Sequence, residues 1–377
     1  MMTAACSDVV QIERTPNGVG RITLNRPQAL NALDLGMIRA LTAALLVWRD
    51  DPAVVAVAIR GTGRDGPFGT FCAGGDIRFF HQAALAGDPR LEDFFTEEYA
   101  LNHLIFTYPK PYIAFMDGVV MGGGMGISQG GRCRVVTERT RMAMPETQIG
   151  LFPDVGGGYF LSRCPGRVGE YLGLTGTVIG ADEALAWGLA DVAAPAADLP
   201  RAWDALAALP ADSGEVFEAA WRDWMRSARW RSGGQPAVAP LAPEVDAAFG
   251  ADRVADIIQQ LQAAQTEAAV QALTMLRQRS PLMLHVVLEQ VRRARGLSLA
   301  DDLRMERDLV RHCFHPRHLA RTAVQSETVE GIRALAVDKD RAPRWQPARV
   351  EDVTQEMVAP FFDSPWPAHA HPLRHLD

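Results

Sequence analysis

The chain has 377 residues, 48% of them hydrophobic and 22% charged, so it can bury a sizeable core, which excludes a fibrous or disordered protein. Its net charge of −7 argues against non-specific binding to nucleic acid or to an anionic membrane. No membrane-spanning run or signal peptide is evident, and the five cysteines form no Cys-x-x-Cys pair, so we expect a cytoplasmic protein without disulfides or a zinc site.

The first half of the chain alternates strands with helices. A helix capped by Asp34 should close before Pro52, a second should cover 91–106, and a third should begin at Gly122. Asn17-Gly18 predicts a hairpin between the first two strands. The predicted strands cover residues 9–13, 20–24, 54–59, 112–116 and 133–137. This alternation predicts an α/β fold with parallel strands.

The second half is mostly helical from Val168 onward. Residues 232–243 contain three prolines and two glycines, which is typical of a linker or flexible insert. A second helical block follows from about residue 252 to Cys313. We therefore predict an α/β core over residues 1–195, a mainly helical C-terminal region over 196–377, and a flexible insert near 230–248.

Two carboxylates, Glu146 and Asp154, stand in an otherwise apolar, glycine-rich stretch, residues 145–160, and each follows a proline. Burying a carboxylate is costly unless it is paired or used, because desolvation disfavours its charged form. The two residues therefore suggest an acid/base pair. The alternative is that both cap turns or helix starts.

Two glycine clusters, Phe71–Asp76 and Met121–Gly126, each follow a predicted strand. Where a strand gives way to a helix, free backbone N–H groups and the helix dipole favour negative charge. Glycine also lets a ligand approach the backbone closely. Two such N–H groups could converge on one oxygen as an oxyanion hole. Tight turns or close strand–helix packing explain either cluster equally well.

Other patterns carry less weight. Residues 61–66 fit a dinucleotide-binding fingerprint, but Pro67 and further glycines follow where a helix should begin, so a plain loop is favoured. Cys72 has no histidine partner suggested by the sequence and reads as a small core residue. Two sets of histidines lack a ligand pattern for a metal and read as solvated positions: His312, His315 and His318, and His369, His371 and His375.

Together these segments resemble the crotonase (enoyl-CoA hydratase/isomerase) superfamily. The resemblance implies a spiral of ββα turns, assembly as trimers or hexamers, and an acyl-CoA thioester as substrate, with no separate cofactor. It further implies that the N–H groups of Gly75 and Gly123 form the hole for the thioester oxygen, and that the Arg26 segment and the loop before Ala73 line the CoA path. The matching segments are 22–27, 31–33, 71–76, 121–126 and 145–160.

Within the superfamily, the residues favour one branch. Hydratases use two glutamates, of which one matches Glu146 while the other falls on Gly126. Asp154 stands where hydratases have a small residue, and its surroundings are similar to those of 3-hydroxyisobutyryl-CoA hydrolases. So are Thr96–Tyr99 and residues 330–345. The residues before Glu330, Ser326–Val329, depart from the usual Asp-Phe of that branch, which bears on acyl preference.

The implied reaction is hydrolysis of a short 3-hydroxyacyl-CoA thioester, as in valine breakdown. Glu146 would attack the carbonyl or activate water, and the sequence leaves both routes open. Asp154 would orient water or the 3-hydroxyl, or protonate the departing sulfur, while Glu98 would face the acyl group and accept a hydrogen bond from its hydroxyl. The alternatives are an enoyl-CoA hydratase or isomerase, and a non-catalytic acyl-CoA-binding subunit.

Overall fold

The computed structural model describes residues 8–233 and 241–377; Cys6 and residues 234–240 of the predicted insert lie outside this range. The described strands are β1 Val10–Arg14, β2 Val19–Leu24, β3 Ala56–Gly61, β4 Tyr112–Met116, β5 Val119–Met121, β6 Cys133–Thr137, β7 Arg141–Ala143, β8 Val192–Ala194 and β9 Arg231–Ser232. The described α-helices are α1 Leu35–Asp50, α2 Ile77–Ala86, α3 Arg90–Phe106, α4 Gly123–Gln129, α5 Gly157–Leu161, α6 Val168–Thr175, α7 Ala181–Ala186, α8 Leu199–Ala205, α9 Gly214–Ser227, α10 Pro243–Phe249, α11 Val254–Ala264, α12 Glu267–Leu276, α13 Pro281–Ala294, α14 Leu299–Phe314, α15 Glu327–Ile332 and α16 Gln355–Val358. None of these described helices is long and apolar enough to cross a membrane.

The described residues group into two compact units, and each unit draws on three stretches of chain. Unit 1 takes the described parts of Met1–Gly75, Leu101–Met142 and Ile179–Val238. Unit 2 takes Asp76–Ala100, Ala143–Val178 and the described part of Ala239–Asp377. The units follow spatial contacts and not chain order, so the boundary near residue 195 stays a prediction about regions of the sequence.

Unit 1 is built on a seven-stranded sheet in the order β1-β2-β3-β4-β6-β8-β9. The five central strands run parallel, whereas β1 and β9 pair antiparallel at the two edges. Every residue of β4 is buried, as expected for a strand covered on both faces. The predicted α/β class with parallel strands is confirmed, and so is the hairpin between β1 and β2.

Helices and aromatic residues complete the core of unit 1. Asp34 caps α1 as predicted, since its side chain accepts a hydrogen bond from the N–H of Met37 at 2.9 Å. Phe115 lies at the centre of an aromatic cluster, with its ring centroid 5.6 Å from that of Trp203 and 6.0 Å from that of Trp221. This packing fixes β4, which leads into the second glycine cluster.

Unit 2 is mainly helical around α13, which begins at Pro281 after the capping residue Ser280 and buries most of its positions. A second apolar group joins α2, α3 and α14, where the ring of Phe95 lies 4.9 Å from that of Phe80 and 5.5 Å from that of Phe314. The segment predicted as a flexible insert, near 230–248, contains β9 and most of α10 among its described residues. Pro243 favours the start of α10, because proline is well suited to the first turn of a helix.

Candidate active site

Glu146 opens a short 3₁₀ turn, Glu146–Ile149, within unit 2. The turn ends at Gly150, whose φ of +66° lies in the left-handed region. A Cβ atom at Gly150 would lie 2.3 Å from the carbonyl oxygen of Glu327, so only glycine allows this close backbone approach. The hydroxyl of Thr328 donates to the Gly150 carbonyl at 2.7 Å. Helix α15 therefore anchors the turn that carries Glu146.

Asp154 lies in a tight turn that leads into α5. The next two residues, Val155 and Gly156, have φ values of +57° and +85°. The N–H of Gly157 donates to the Asp154 carbonyl at 2.7 Å and starts the helix. A left-handed valine is unusual and persists only where its surroundings hold it, so the chain here is constrained.

Helix α3 supplies two further polar groups, Glu98 and Tyr99. The hydroxyl of Tyr99 donates a hydrogen bond to Oδ2 of Asp154 at 2.9 Å. Glu98, Glu146 and Asp154 are only 2%, 6% and 5% exposed. Among the described residues, Oε1 of Glu98 and Oε2 of Glu146 have no hydrogen-bond partner. Unit 2 thus gathers three buried carboxyl groups, and two of them, Glu98 and Glu146, each keep one oxygen without a partner among the described residues.

The electrostatics show that these carboxyl groups act on one another. Burial, followed by the charges of Asp154 and Glu146, raises the pKa of Glu98 well above its usual range. Burial, followed by the charge of Asp154, likewise raises the pKa of Glu146. Burial raises the pKa of Asp154 to about 7, against the opposing effect of the Tyr99 hydrogen bond. Since like charges in a buried cluster disfavour one another, the group holds protons near neutral pH and can both donate and accept them.

The structure therefore brings together the three carboxylates that the sequence singled out. It adds Tyr99, to which the sequence gave no role, although the residue is adjacent to Glu98. The chemical state of Asp154 depends on this tyrosine, because a phenol hydroxyl that donates to a carboxylate favours the charged form. Nothing in the spacing of the chain links Tyr99 to a residue 55 positions away.

Unit 1 brings the two glycine clusters side by side. Cys72 pairs with Val120 as an isolated parallel bridge, in which the N–H of Met121 donates to the Cys72 carbonyl at 3.0 Å. A Cβ atom at Gly124 would lie 2.3 Å from the same carbonyl oxygen, so glycine is required where the loops meet. A Cβ atom at Gly74 would lie 3.5 Å from the nitrogen of Gly123. The two loops are held in backbone contact.

The N–H groups of Gly75 and Gly123 are available at this junction. Gly123 is the first residue of α4, where an N–H has no partner inside the helix. Neither N–H donates to any residue in 8–233 or 241–377. Arg26 lies in the same unit and is partly exposed, with its Nη1 donating to the Ala32 carbonyl at 3.0 Å.

The other sequence patterns are the possible dinucleotide fingerprint, Cys72 and the histidine sets. Gly61 ends β3, and residues 62–66 form a loop in which Gly63 and Gly66 are bridged to each other, so the plain loop is confirmed. Cys72 is buried, as expected of a core residue. His312 contacts the Asp363 carbonyl at 2.8 Å and His315 lies 3.3 Å from Glu92. Within the described ranges, no group of three or more His, Cys, Asp or Glu residues is placed to hold a metal.

Comparison with known proteins gives concordant matches over most of the chain. The family profile of enoyl-CoA hydratase/isomerase matches residues 19–362. A Xenopus tropicalis protein described as 3-hydroxyisobutyryl-CoA hydrolase, mitochondrial, is 40% identical over 346 residues, which cover 92% of this chain and 86% of the relative.

Two solved structures are similar over nearly their whole length. One, described as a carnitinyl-CoA dehydratase from Mycobacterium thermoresistibile, has a TM-score of 0.83 at 37% identity and covers 96% of this chain and 98% of its own. The other, described as an enoyl-CoA hydratase from Rhodobacter sphaeroides, has a TM-score of 0.79 at 36% identity and covers 95% and 98%. The described names therefore divide between hydrolase and hydratase or dehydratase chemistry.

Proposed function

The chain belongs to the enoyl-CoA hydratase/isomerase family, and from that premise we propose that it hydrolyses 3-hydroxyisobutyryl-CoA to the free hydroxy acid and CoA. The observation that carries this proposal is the buried pair of Glu146 and Asp154, whose pKa values are both raised. Hydrolysis needs a group that attacks or activates water and a group that exchanges a proton, and this pair offers both.

The proposed chemistry begins with the thioester oxygen on the N–H groups of Gly75 and Gly123, which would stabilise negative charge as it develops; each such donor is typically worth about 3–4 kcal/mol of barrier. In one route, a Glu146 oxygen bonds to the acyl carbon, the C–S bond breaks, and protonated Asp154 gives its proton to the departing sulfur. Water then cleaves the anhydride, with Asp154 as the base. In the other route, Glu146 takes a proton from water as the water oxygen bonds to the acyl carbon; the C–S bond then breaks, and protonated Asp154 gives its proton to the departing sulfur.

Glu98 would select the acyl group. Its Oε1 is buried without a partner among the described residues, so a hydroxyl on the substrate could donate to it. A substrate that lacks the hydroxyl would leave this buried oxygen unpaired, which costs binding free energy. We propose that this contact favours 3-hydroxyacyl over plain acyl thioesters.

Hydratase or isomerase chemistry is the second candidate, since relatives of known structure carry hydratase and dehydratase names. A hydratase with two glutamates is disfavoured, because the position of the second glutamate is Gly126, which has no side chain to position water. An isomerase needs only one carboxylate, so Asp154 should be dispensable for it. The raised pKa of Asp154 and its hydrogen bond from Tyr99 favour an active role for that residue and hence the hydrolase.

The experiment is to follow free thiol from purified protein given 3-hydroxyisobutyryl-CoA, with the enoyl absorbance of crotonyl-CoA followed in parallel. Rapid thiol release with crotonyl-CoA untouched would support the hydrolase. Loss of enoyl absorbance without thiol release would overturn it in favour of a hydratase or isomerase. Glu289→Gln serves as a control variant, because Glu289 pairs with Arg293 on a partly exposed helix face.

The remaining proposals follow from family membership. CoA is part of the substrate, so we propose that the reaction needs no separate cofactor. We also propose that the chain assembles as trimers or hexamers, which size-exclusion chromatography with light scattering would test. A role in valine degradation and a cytoplasmic location are also proposals. The relatives' names place those proteins in mitochondria, so fractionation of the source cells is the relevant measurement.

A further inference from the structure

We infer that Glu306, together with Asp302, is a positioning residue for Asp154: it holds the backbone of the turn that follows this carboxylate and so fixes where the carboxylate lies. The inference rests on the proposed function, because it concerns how a residue of that reaction is held. Both residues belong to α14 in unit 2, one helical turn apart, and both side chains are fully buried.

The contacts are made to three successive parts of the turn. The N–H of Gly156 donates to Oε2 of Glu306 at 2.7 Å, and the N–H of Gly158 donates to Oε1 at 2.9 Å. The N–H of Tyr159 donates to Oδ2 of Asp302 at 2.8 Å. These N–H groups lie at the start of α5, where an α-helix leaves its donors unsatisfied. Two buried carboxyl groups therefore cap the helix that begins just after Asp154.

The other side of Asp154 is held by the same network. Nε2 of Gln290 donates to the carbonyl of Pro153 at 2.6 Å and to Oε1 of Glu306 at 3.2 Å. The residues before and after Asp154 are thus both tied to Glu306, one directly and one through an amide. A catalytic group misplaced by about 1 Å can lose on the order of 100-fold in rate, so this fixation bears on turnover.

The pair holds a proton between its two members. Two adjacent buried carboxylates cannot both be charged without a large cost, so one proton is shared near neutral pH. Glu306 accepts from three donors, whereas Asp302 accepts from one, and Oδ1 of Asp302 accepts no hydrogen bond from the described residues. Hydrogen bonds from donors favour the charged form, so the charge belongs on Glu306 and the proton on Asp302.

Burial raises the pKa of both residues, so the pair retains a proton near neutral pH. It raises the pKa of Asp302 to about 7, against the opposing effect of a side-chain hydrogen bond with Glu306. Burial and the charge of Asp302 raise the pKa of Glu306, and the charge of Asp154 adds to that rise. These shifts show that the pair retains a proton, and the hydrogen bonds locate it: three donors reach Glu306 and one reaches Asp302, so the proton belongs on Asp302.

This assignment gives opposite expectations for two conservative substitutions. Asp302→Asn keeps an oxygen for the Tyr159 N–H and gains N–H groups that can donate to Glu306, as the protonated acid does. Glu306→Gln offers one acceptor oxygen where the N–H groups of Gly156 and Gly158 use two. The first change should therefore preserve the turn, and the second should loosen it.

The test measures kcat and KM for thiol release, with folding checked by circular dichroism and thermal unfolding. Glu306→Gln is expected to lower kcat by roughly 10- to 100-fold and leave KM within about twofold, since the turn positions a reacting group. Asp302→Asn is expected to keep kcat within about threefold. Glu289→Gln in α13 and Asp301→Asn in α14 are matched controls, because both side chains are partly exposed.

The turnover of these variants decides whether Glu306 positions Asp154. Unchanged kcat in Glu306→Gln, or a loss in Asp302→Asn as large as that in Glu306→Gln, would overturn the inference. If Glu306→Gln does not fold, Asp302→Asn still decides the question. Retained turnover would support a proton on Asp302, whereas lost turnover would mean that both carboxyl groups must be charged and would overturn the inference. Absence of thiol release from the wild-type protein would refute the proposed function instead, so the two failures are distinguishable.

Discussion

Substitution of Tyr99 by phenylalanine tests the electrostatic state of Asp154. The change removes one hydroxyl, which donates to Oδ2 of Asp154 at 2.9 Å inside a buried cluster. This hydrogen bond lowers the pKa of Asp154, which burial sets at about 7. Its loss must therefore raise that pKa, because the charged carboxylate loses a donor while the neutral acid loses less.

The size of the effect follows from the strength of such a bond. A hydrogen bond to a buried charged group contributes about 1.5–3 kcal/mol, and each pKa unit corresponds to about 1.4 kcal/mol. The limb of the kcat/KM profile that reports Asp154 should then move to higher pH by about one to two pH units. The assay is thiol release from 3-hydroxyisobutyryl-CoA across the pH range, since kcat/KM reports the ionisation of the free enzyme.

Tyr108→Phe is the matched control, because its buried hydroxyl donates to the Leu45 carbonyl at 2.8 Å in the other unit. This variant should lose about 1 kcal/mol of stability and keep the wild-type profile. A Tyr99→Phe profile with unchanged midpoints, or with a limb moved to lower pH, would refute the electrostatic reasoning.

Three further predictions concern the carboxylates and the glycine loops. Glu146→Gln should remove nearly all thiol release, and Asp154→Asn should cripple it while acyl-CoA binding by calorimetry persists; wild-type turnover in both would sink the assignment. Glu98→Gln should reduce kcat/KM for 3-hydroxyacyl more than for plain acyl thioesters, by roughly 10-fold, and an equal reduction for both would contradict a contact with the hydroxyl. Gly124→Ala should destabilise the protein by about 1–3 kcal/mol in denaturant titration, because its Cβ would lie 2.3 Å from the Cys72 carbonyl oxygen.

Two other positions, Glu97 and Gly66, provide controls for this set. Glu97→Gln changes a partly buried residue beside Glu98 and should leave the ratio of hydroxyacyl to acyl turnover unchanged. Gly66→Ala places its Cβ in open space, with nothing within 4 Å, so its stability should remain within about 0.5 kcal/mol of wild type. A loss in Gly66→Ala as large as in Gly124→Ala would show that close backbone approach is not the cause.

Local signals in the sequence predicted much of the fold. The Asp34 cap, the Asn17-Gly18 turn and the strand at 112–116 are each encoded by a few neighbouring residues, and the structure has all three. Glu146 and Asp154 were recognisable because carboxylates are costly in an apolar stretch. The structure shows the same cost, because burial and the charge of Asp154 raise the pKa of Glu146.

The supporting residues could not be predicted in the same way. Glu306 meets Gly156 across 150 positions of chain, and nothing in local spacing encodes such a contact. One signal was present, since Asp302 and Glu306 stand four residues apart among the apolar positions of α14. Acids on the buried stripe of a helix are as costly as acids in an apolar loop, and the same argument applied to α14 would have identified them.

The distance along the chain between Asp154 and Glu306 also bears on how the protein is made. A ribosome adds about 5–20 residues per second, so the turn that carries Asp154 leaves it many seconds before α14 does. During that interval the N–H groups of Gly156 and Gly158 lack their acceptors. We therefore expect a premature stop codon between Asp154 and α14 to yield a polypeptide that contains both Glu146 and Asp154 and is nonetheless inactive. Missense variants at Glu306 should therefore be ranked with those of the turn that carries Asp154 when harmful alleles are assessed.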